Sequence, residues 1–370
     1  MKKKYLSFLF FSLLFTSPTL LAETKSSSIS TDKVSIETYI FSESFSNLVP
    51  IKQIINDKWQ QEPTKQATNA FTQNEIGVKL FWRNFSFTIA QRLDYFVFSD
   101  TDTAKAYYLL NTDKALTSQN NYKLDLQLLH QQSIGVRIGY KWQFSNFVSG
   151  VEIGYWNVQT VRDSFLYGNI SGNNQNQLSG SALLTEFYSE QNYLKRPNNN
   201  SWETNGWGAT VDFYLNWKAN EQLIFDLKVN DLYSNFTLKN IGYSQGEINT
   251  DATFVNAVGG TGYLPLYRGV ESSKNHQFNL PAKVTILGRY QQNNIDYLIR
   301  YKRQGNVNFY AIGTEFKLKK NTVRLMLDVK KITPEIQLTN KLFTLQLALD
   351  NINISQVMQV NLGAQIHYDF

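Results

Sequence analysis

Apolar and polar side chains alternate with a period of two along most of the chain. In segment 74–83 the even positions are apolar from Ile76 to Trp82, and segment 122–142 keeps one parity throughout. This alternation is typical of strands with two chemically different faces. A strand as long as 122–142 is unusual in a soluble protein and normal in a barrel wall that extends beyond a bilayer.

The same alternation predicts an all-β fold with about fourteen strands. The strands are expected at 33–42, 74–83, 85–98, 122–142, 147–159, 205–218, 222–239, 277–290, 295–303, 307–318, 322–330, 334–340, 341–350 and 357–370.

The gaps between these strands alternate in length. Only a few residues separate the strands after 83, 143, 218, 291 and 319, whereas the gaps 99–121, 160–204 and 240–276 are long. Outer-membrane barrels combine short periplasmic turns with longer extracellular loops. The order of the gaps therefore predicts a closed antiparallel transmembrane β-barrel and also its orientation in the membrane.

Aromatic content supports a membrane environment. Aromatic residues make up 14% of the chain although the mean hydropathy is negative, −0.34. Aromatic side chains form girdles at both water–lipid interfaces of membrane barrels. The last outward residues of the four strands expected to descend to the periplasm are all aromatic: Trp82, Trp142, Trp217 and Tyr290.

The first residues resemble a secretory signal. Lys2, Lys3 and Lys4 precede an apolar stretch, and 1–22 ends in Leu20-Leu21-Ala22. The chain has no cysteine, which excludes a lipid-anchored lipoprotein, and its net charge of +6 contains no basic run that would indicate nucleic-acid binding. The expected mature protein is a single barrel domain, 23–370, in the cell outer membrane.

Segment 43–73 contains a helical pattern. Leu48, Ile51, Ile54, Ile55 and Trp59 recur near helical spacing within 47–61. Two interpretations remain open, a small plug helix inside the barrel mouth and an amphipathic helix in the first extracellular loop.

Charged side chains fall on the strand face opposite the apolar one. Because a charge near the bilayer midplane costs several kcal/mol, these side chains should face the lumen. The lumen-lining candidates are Arg92, Asp94, Arg137, Asp226, Lys228, Arg289, Arg300, Glu315, Arg324 and Asp328. They could form a polar pore lining with a slight preference for anions, or a lattice of cross-strand ion pairs that stiffens the lumen.

The last strand carries a recognisable pattern. Apolar residues alternate from Val360 to Phe370, with Tyr368 two residues before the terminal phenylalanine. This resembles the C-terminal assembly signal of Gram-negative outer-membrane β-barrel proteins, which implies that the barrel-assembly machinery is a partner. The strand number also resembles that of fourteen-stranded transporters of hydrophobic compounds. Their Asn-Pro-Ala hatch motif is absent near the expected mature N-terminus.

The sequence contains no pattern that indicates an enzyme. Its three histidines, His130, His276 and His367, cannot be paired from sequence with an acid or a nucleophile, and no metal or cofactor spacing occurs. We therefore predict a channel or transporter for an unknown small solute or polymer, surrounded by outer-membrane lipid. A non-conducting barrel whose loops bind a polymer or protein is the first alternative, and a barrel hydrolase the second.

Overall fold

The computed structural model describes residues 34–114, 116, 121–172, 178–189, 205–250, 253–255, 261–263 and 266–370. The expected signal peptide lies outside these ranges. The strands within them are β1 Val34–Ser46, β2 Asn69–Trp82, β3 Phe85–Ser99, β4 Tyr122–Gln143, β5 Phe147–Gly172, β6 Leu178–Tyr188, β7 Gly206–Lys218, β8 Leu223–Asn249, β9 Thr253–Val255, β10 Thr261–Tyr263, β11 Leu266–Phe278, β12 Lys283–Gln292, β13 Ile295–Gln304, β14 Val307–Lys317, β15 Asn321–Asp328, β16 Thr333–Asn340, β17 Phe343–Leu349 and β18 Gln359–Asp369. The helices are α1 Ile51–Asn56, α2 Thr101–Asn111 and a 3₁₀ turn at Ile354–Gln356.

The sheet closes on itself between its first and last strands. β1 pairs with β2 on one side and with β18 on the other, where Tyr39 lies opposite Gln365. All pairings are antiparallel, and sixteen segments form one sheet. β6 and β7 share one position of the wall beside β5, and β11 and β12 share one beside β8. The wall therefore has fourteen positions, which confirms the predicted closed barrel.

Two predicted loops contain long extensions of the wall. β5 continues through Gly172 into the expected loop 160–204, and β8 continues through Asn249 into the expected loop 240–276. The predicted strand ends at 159 and 239 were therefore wrong, because both strands continue into the segments expected to be loops. Both faces of the extensions are rich in polar residues, so the period-two signal fades, but pairing with β6 and β11 still satisfies the backbone.

The helices lie between strands on the extracellular side. α1 is shorter than the expected helical segment and ends at Asn56, before Asp57, whose φ of 53° is left-handed. α2 occupies the expected loop 99–121, and the side chain of Asp100 caps it by accepting a hydrogen bond from the Thr103 amide at 2.7 Å.

The helices cover the outer face of the strands near their extracellular ends. The strand residues that they contact have the same outward orientation as the membrane-facing side chains lower on the wall. Leu48, beside α1, and Leu109 of α2 belong to one apolar cluster with Val97 and Leu124. These strand positions project from the outer side of the wall, because Val97 shares the parity of the exposed Ile89 on β3. The outward apolar face is thus covered by protein where it rises above the bilayer.

Lower on the wall, the outward face is apolar and exposed. Ile89, Ile138, Ile153 and Ile299 on four different strands are each more than half exposed, between 52% and 65%. The predicted interface aromatics Trp82, Trp142, Trp217 and Tyr290 also face outward, with exposures of 50%, 42%, 44% and 43%. An apolar belt around a closed wall far exceeds the patches that soluble monomers expose, so its surroundings are hydrocarbon. Within the described ranges, no helix is long and apolar enough to cross a membrane.

Candidate functional site: the barrel lumen

All ten predicted lumen-lining side chains lie on the inner parity of their strands. The residues next to them on the same strands face outward and are apolar and exposed. Examples are Ile299, next to Arg300, and Ile138, next to Arg137. The prediction missed several acids that share this face: Glu43, Glu75, Asp163, Asp231 and Glu335. Three of these acids, Glu43 on β1, Glu75 on β2 and Glu335 on β16, could have been found from the alternation of inward and outward residues along their strands. These added acids remove the excess of bases on which the expected preference for anions rested.

Arg92 is the centre of the first ion-pair network. Its guanidinium donates to both carboxylate oxygens of Asp231 at 2.9 Å, and its Nε donates to Asp94 Oδ2 at 2.8 Å. Asp94 also accepts hydrogen bonds from Gln73 at 3.1 Å and from Gln131. β3 and β8 are four wall positions apart, so this pair spans part of the lumen.

Asp231 reaches Arg92 because β8 bulges at this point. Between Val211 and Phe213 of β7 the partner on β8 changes from Tyr233 to Val229, which leaves two additional residues on β8. Asp231 has a left-handed φ of 51°, and its amide donates to Asp212 at 2.7 Å. A bulge redirects a side chain that regular alternation would place elsewhere, which explains why period-two reasoning missed Asp231.

Trp156 is fully buried between the arginines of this network. The guanidinium carbons of Arg92 and Arg137 lie 5.2 Å and 5.5 Å from its ring centroid, within cation–π range. Its Nε1 donates to Thr210 Oγ1 at 2.8 Å. A Cβ on Gly135 would lie 2.6 Å from Trp156 Cε3, so only glycine leaves room for this ring.

Arg137 holds a second set of acids lower in the lumen. It donates to Glu75 Oε1 at 2.5 Å and to the Tyr39 hydroxyl at 2.7 Å. Its Nε lies 3.8 Å from Glu152, which also accepts a hydrogen bond from Lys79. Arg137 thus joins β4 to β1, β2 and β5 through side chains alone.

The opposite wall carries its own network. Arg324 donates to Glu315 Oε2 at 2.9 Å through Nε, and Arg289 donates to Glu315 Oε1 at 3.4 Å. Arg300 makes a bidentate pair with Glu335, at 2.8 Å and 2.7 Å. Breaking a buried pair of this kind costs about 3–5 kcal/mol.

The remaining predicted candidates have different roles. Asp226 accepts a hydrogen bond from Asn216 at 2.5 Å and lies 3.7 Å from Arg289, and Lys228 is exposed to the lumen. Asp328 ends β15 and accepts hydrogen bonds from the Lys330 and Lys331 amides, at 3.0 Å and 2.8 Å. Asp328 therefore caps the extracellular turn between β15 and β16 rather than joining a lumenal ion pair among those described.

One ion pair crosses the full width of the lumen. Glu43 on β1, 3% exposed, accepts a hydrogen bond from Lys283 on β12 at 2.5 Å and another from Lys302 on β13. β1 and β12 occupy opposite positions of the fourteen-position wall. Opposite sides of the barrel are therefore in direct contact at this level.

Above Glu43, phenylalanine rings fill the lumen. We call Phe45, Phe71, Phe96, Phe98 and Phe309 the aromatic cluster. The centroids of Phe45 and Phe309, which lie on β1 and β14, are 5.1 Å apart with the rings edge to face, and those of Phe45 and Phe71 are 5.6 Å apart. All but Phe98 are 1–4% exposed. An apolar layer thus lies inside the barrel between the charged networks and the extracellular end.

Short extracellular turns close over the aromatic cluster. The Lys331 ammonium lies 4.8 Å from the centroid of Phe45, and a Cβ on Gly305 would lie 3.3 Å from Phe98. Burial lowers the pKa of Lys331, and the neighbouring Lys330 lowers it further. The β13–β14 turn therefore reaches across the lumen to a ring on β3, and the β15–β16 turn reaches a ring on β1, three to four wall positions away.

His276 is the one histidine in this part of the lumen. Its Nε2 lies 2.8 Å from Asp163 Oδ2, and its ring stacks on Phe187 at 3.7 Å between centroids. The sequence could not pair this histidine because Asp163 lies on β5, beyond the register shift at Gln132/Ser133. The described residues contain no group of acids and histidines that could hold a metal ion.

Comparison with known proteins supplies only distant likenesses. No family profile and no curated protein matches the chain. Among solved structures, the toluene transporter TbuX of Ralstonia pickettii is 9% identical, with 92% of this chain and 90% of that chain covered and a TM-score of 0.43. The toluene transporter TodX of P. putida is 12% identical, with 91% and 88% covered and a TM-score of 0.38. The OmpT protease of Escherichia coli is 11% identical, with 94% and 100% covered and a TM-score of 0.22.

These likenesses are too distant to carry an argument about function, so the assignment depends on the molecule itself. Fourteen antiparallel wall positions close into a barrel, its outer face is an apolar belt, and its charges point inward. A closed barrel with this distribution satisfies every backbone group inside hydrocarbon. The chain is an outer-membrane β-barrel with short periplasmic turns.

Proposed function

We propose that this barrel is a gated passive channel for small apolar molecules. The observation that carries the proposal is the aromatic cluster, in which rings from β1, β2, β3 and β14 meet inside the lumen. The lumen of a water-filled porin is polar. A layer of phenylalanine offers no hydrogen bonds to replace the water shell of an ion or a sugar.

An apolar solute can replace the contacts that the rings make with one another. Burial of apolar surface stabilises by roughly 25 cal/mol per Å². A solute of one ring can therefore enter the aromatic cluster by rotamer changes at Phe45 or Phe309, without movement of the wall. A hydrated ion would lose its water shell in the aromatic cluster and would find no polar groups there to replace it.

The Glu43 ion pair lies directly below the aromatic cluster and completes the proposed gate. Phe45 and Glu43 are two residues apart on β1, which corresponds to about 7 Å along a strand. Lys283 and Lys302 must move away from Glu43 before a solute can pass to the periplasmic side. Long lysine side chains can do this by rotamer changes that leave the barrel intact.

Uptake of ring-labelled toluene by Gram-negative cells tests the proposal. Toluene suits the test because it is apolar, has the size of one phenylalanine ring and crosses the lipopolysaccharide leaflet slowly. Cells that express the protein should take it up several-fold faster than cells with an empty vector. Phe71→Gln, which places an amide in the aromatic cluster, should bring uptake close to the vector level.

Phe81→Gln is the matched control. Phe81 has the same parity on β2 as Phe71 but lies at the periplasmic end, outside the aromatic cluster. Its substitution should leave uptake unchanged. Uptake at the vector level by the unmodified protein, or an equal rate in Phe71→Gln, would refute the proposal.

A closed, non-conducting barrel is the second candidate. The contact between Glu43 and Lys283 across the lumen favours it, because a barrel filled by ion pairs is stiff whether or not anything passes. The upper extensions of β5, β6, β8 and β11 would then serve as a binding surface. Absence of both toluene uptake and single-channel steps in planar bilayers would favour this candidate.

A further inference from the structure

Two lysine ammonium groups lie over ring faces of the aromatic cluster. The ammonium of Lys331 is 4.8 Å from the ring centroid of Phe45, and that of Lys302 is 4.4 Å from the centroid of Phe309. Both distances are within cation–π range. Phe45 and Phe309 are also the two rings that must change rotamer to admit a solute into the cluster. Each of them therefore lies against a positive charge at the place where a solute would enter.

Lys331 differs from Lys302 in its surroundings. Lys302 also pairs with Glu43, whereas no described carboxylate lies within ion-pair distance of Lys331. The backbone amide of Lys331 donates to Asp328 Oδ1 at 2.8 Å, which fixes the extracellular turn, and the side chain is half-buried over Phe45. An entering solute thus meets the Lys331 ammonium on the extracellular side of the cluster, before it reaches Lys302.

Entry of a solute removes the contact between Lys331 and Phe45. When Phe45 rotates, the ammonium loses the ring face beside it. The face of an aromatic ring carries negative partial charge, whereas a saturated ring of the same size has no such face. A solute ring in the vacated place therefore restores the attraction only if that ring is electron-rich.

We infer that Lys331 selects electron-rich aromatic rings over saturated or electron-poor rings of similar size. This inference rests on the proposed channel function and names the solutes that the channel prefers. Attraction between an ammonium and a ring at a partly exposed site changes the rate of entry by about two- to fivefold. Lys302 lies over Phe309 in the same way, but it also holds Glu43, so substitution of Lys331 isolates the selection from the gate.

Three solutes of similar size separate this attraction from ring stacking. Toluene has an electron-rich ring, methylcyclohexane has no aromatic face, and the fluorine atoms of pentafluorotoluene reverse the charge on its ring face. Pentafluorotoluene can still stack on the phenylalanines, because its reversed charge complements theirs. An ammonium over its face would repel it. A preference for toluene over pentafluorotoluene therefore reports the ammonium rather than the rings.

Initial uptake rates of the three solutes by Gram-negative cells test the inference. Each rate is measured by gas chromatography and divided by the rate of vector cells, so that partition into membranes cancels. For the unmodified barrel we expect toluene to exceed pentafluorotoluene about fivefold, with methylcyclohexane between them. Lys331→Met keeps the length of the side chain and removes its charge, and it should lower this ratio to about twofold because Lys302 remains. Lys331→Arg should keep the ratio, since a guanidinium also lies over ring faces.

Lys330→Met is the matched control. Lys330 is exposed in the same turn and its amide also donates to Asp328, but its ammonium lies over no ring within the described part of the chain. This substitution removes the same charge from the extracellular surface and should leave the ratio unchanged. Because the readout is a ratio between solutes, differences in the amount of folded barrel cancel.

The possible outcomes separate this inference from the channel itself. Equal uptake of toluene and pentafluorotoluene by the unmodified barrel, both above the vector level, would overturn the selection and leave the channel in place. The same conclusion would follow if Lys331→Met kept the full ratio, or if Lys330→Met lowered it equally. Vector-level rates for all three solutes would refute the channel, and the selection with it.

Discussion

Glu43 and Lys283 form an ion pair, 2.5 Å between carboxylate and ammonium, from strands that are seven wall positions apart in either direction around the barrel. In a fourteen-stranded wall no two strands can be farther apart. The two side chains therefore bridge the full width of the lumen, and the lumen is closed by side chains at this level. With Lys302 as a second donor, Glu43 stabilises two buried cations at once.

Replacement of Glu43 by glutamine should open and weaken the barrel. Lys283 and Lys302 would be left buried side by side without a counter-charge, and the loss of a buried partner costs about 3–5 kcal/mol. We expect single-channel steps in planar bilayers where the unmodified barrel is closed for most of the recording, and unfolding at a lower temperature on heat-modifiable gels.

Glu62→Gln is the control for this substitution. Glu62 also pairs with a lysine, Lys105, but its side chain is 60% exposed above the membrane. Exposed pairs contribute at most about 1 kcal/mol. An unchanged conductance in Glu43→Gln, or equal changes in both variants, would contradict the gating role of Glu43.

Asp231→Asn should destabilise the barrel without opening it at Glu43. Arg92 would lose its bidentate partner while buried with Asp94 and Trp156, at a cost of about 3–5 kcal/mol. Unfolding in urea from detergent micelles measures the loss. Glu247→Gln removes a carboxylate from the exposed Arg268 on the extracellular side and should change stability far less. A small effect of Asp231→Asn would mean that the network is not a major source of stability.

Ile299→Arg should hinder insertion into the membrane. Ile299 is 65% exposed on the apolar belt, where an arginine near the midplane costs about 2–4 kcal/mol. The same substitution at Ile352, which is 95% exposed in the extracellular turn between β17 and β18, should have almost no effect. The folding free energy in phospholipid vesicles distinguishes them, and equal values would place water rather than hydrocarbon around Ile299.

Thiol labelling of intact cells should report the orientation. Because the chain contains no cysteine, single substitutions can be labelled without background. Asn353→Cys lies in an extracellular turn and should react with a membrane-impermeant maleimide. Asn220→Cys, in the turn between β7 and β8, should react only after the outer membrane is permeabilised. The reverse labelling pattern would show that the barrel has the opposite orientation in the membrane.

The wall was predictable from sequence because its two faces meet two different solvents. Lipid on one side and a polar lumen on the other enforce alternation, as in β3, where Phe87 and Ile89 face outward and Thr88 and Arg92 face inward. Strand number, closure and the outward position of Trp82 and Tyr290 follow from this periodicity. The signal peptide, the assembly machinery and the solute stay predictions.

The features that were not predicted lie where the wall no longer separates lipid from a polar lumen, or where a bulge or the closure of the barrel determines which side chains meet. Above the bilayer, both faces of β5 and β8 meet water or protein, so their extensions look like loops. Asp231 reaches the lumen through a bulge, which shifts parity locally. The aromatic cluster escaped because Phe45, Phe71 and Phe96 each occupy one inward position among polar ones, and only closure of the barrel brings them together.

A reversible cross-link across the gate tests the central claim most directly. Glu43→Cys with Lys283→Cys, joined by a short bis-methanethiosulfonate reagent, would tie opposite walls together in a chain that has no other thiol. If toluene passes through the lumen at this level, uptake by the cross-linked barrel should fall to the vector level and recover when a reductant cleaves the link. Uptake that continues at the same rate with the walls joined would contradict passage through the gate.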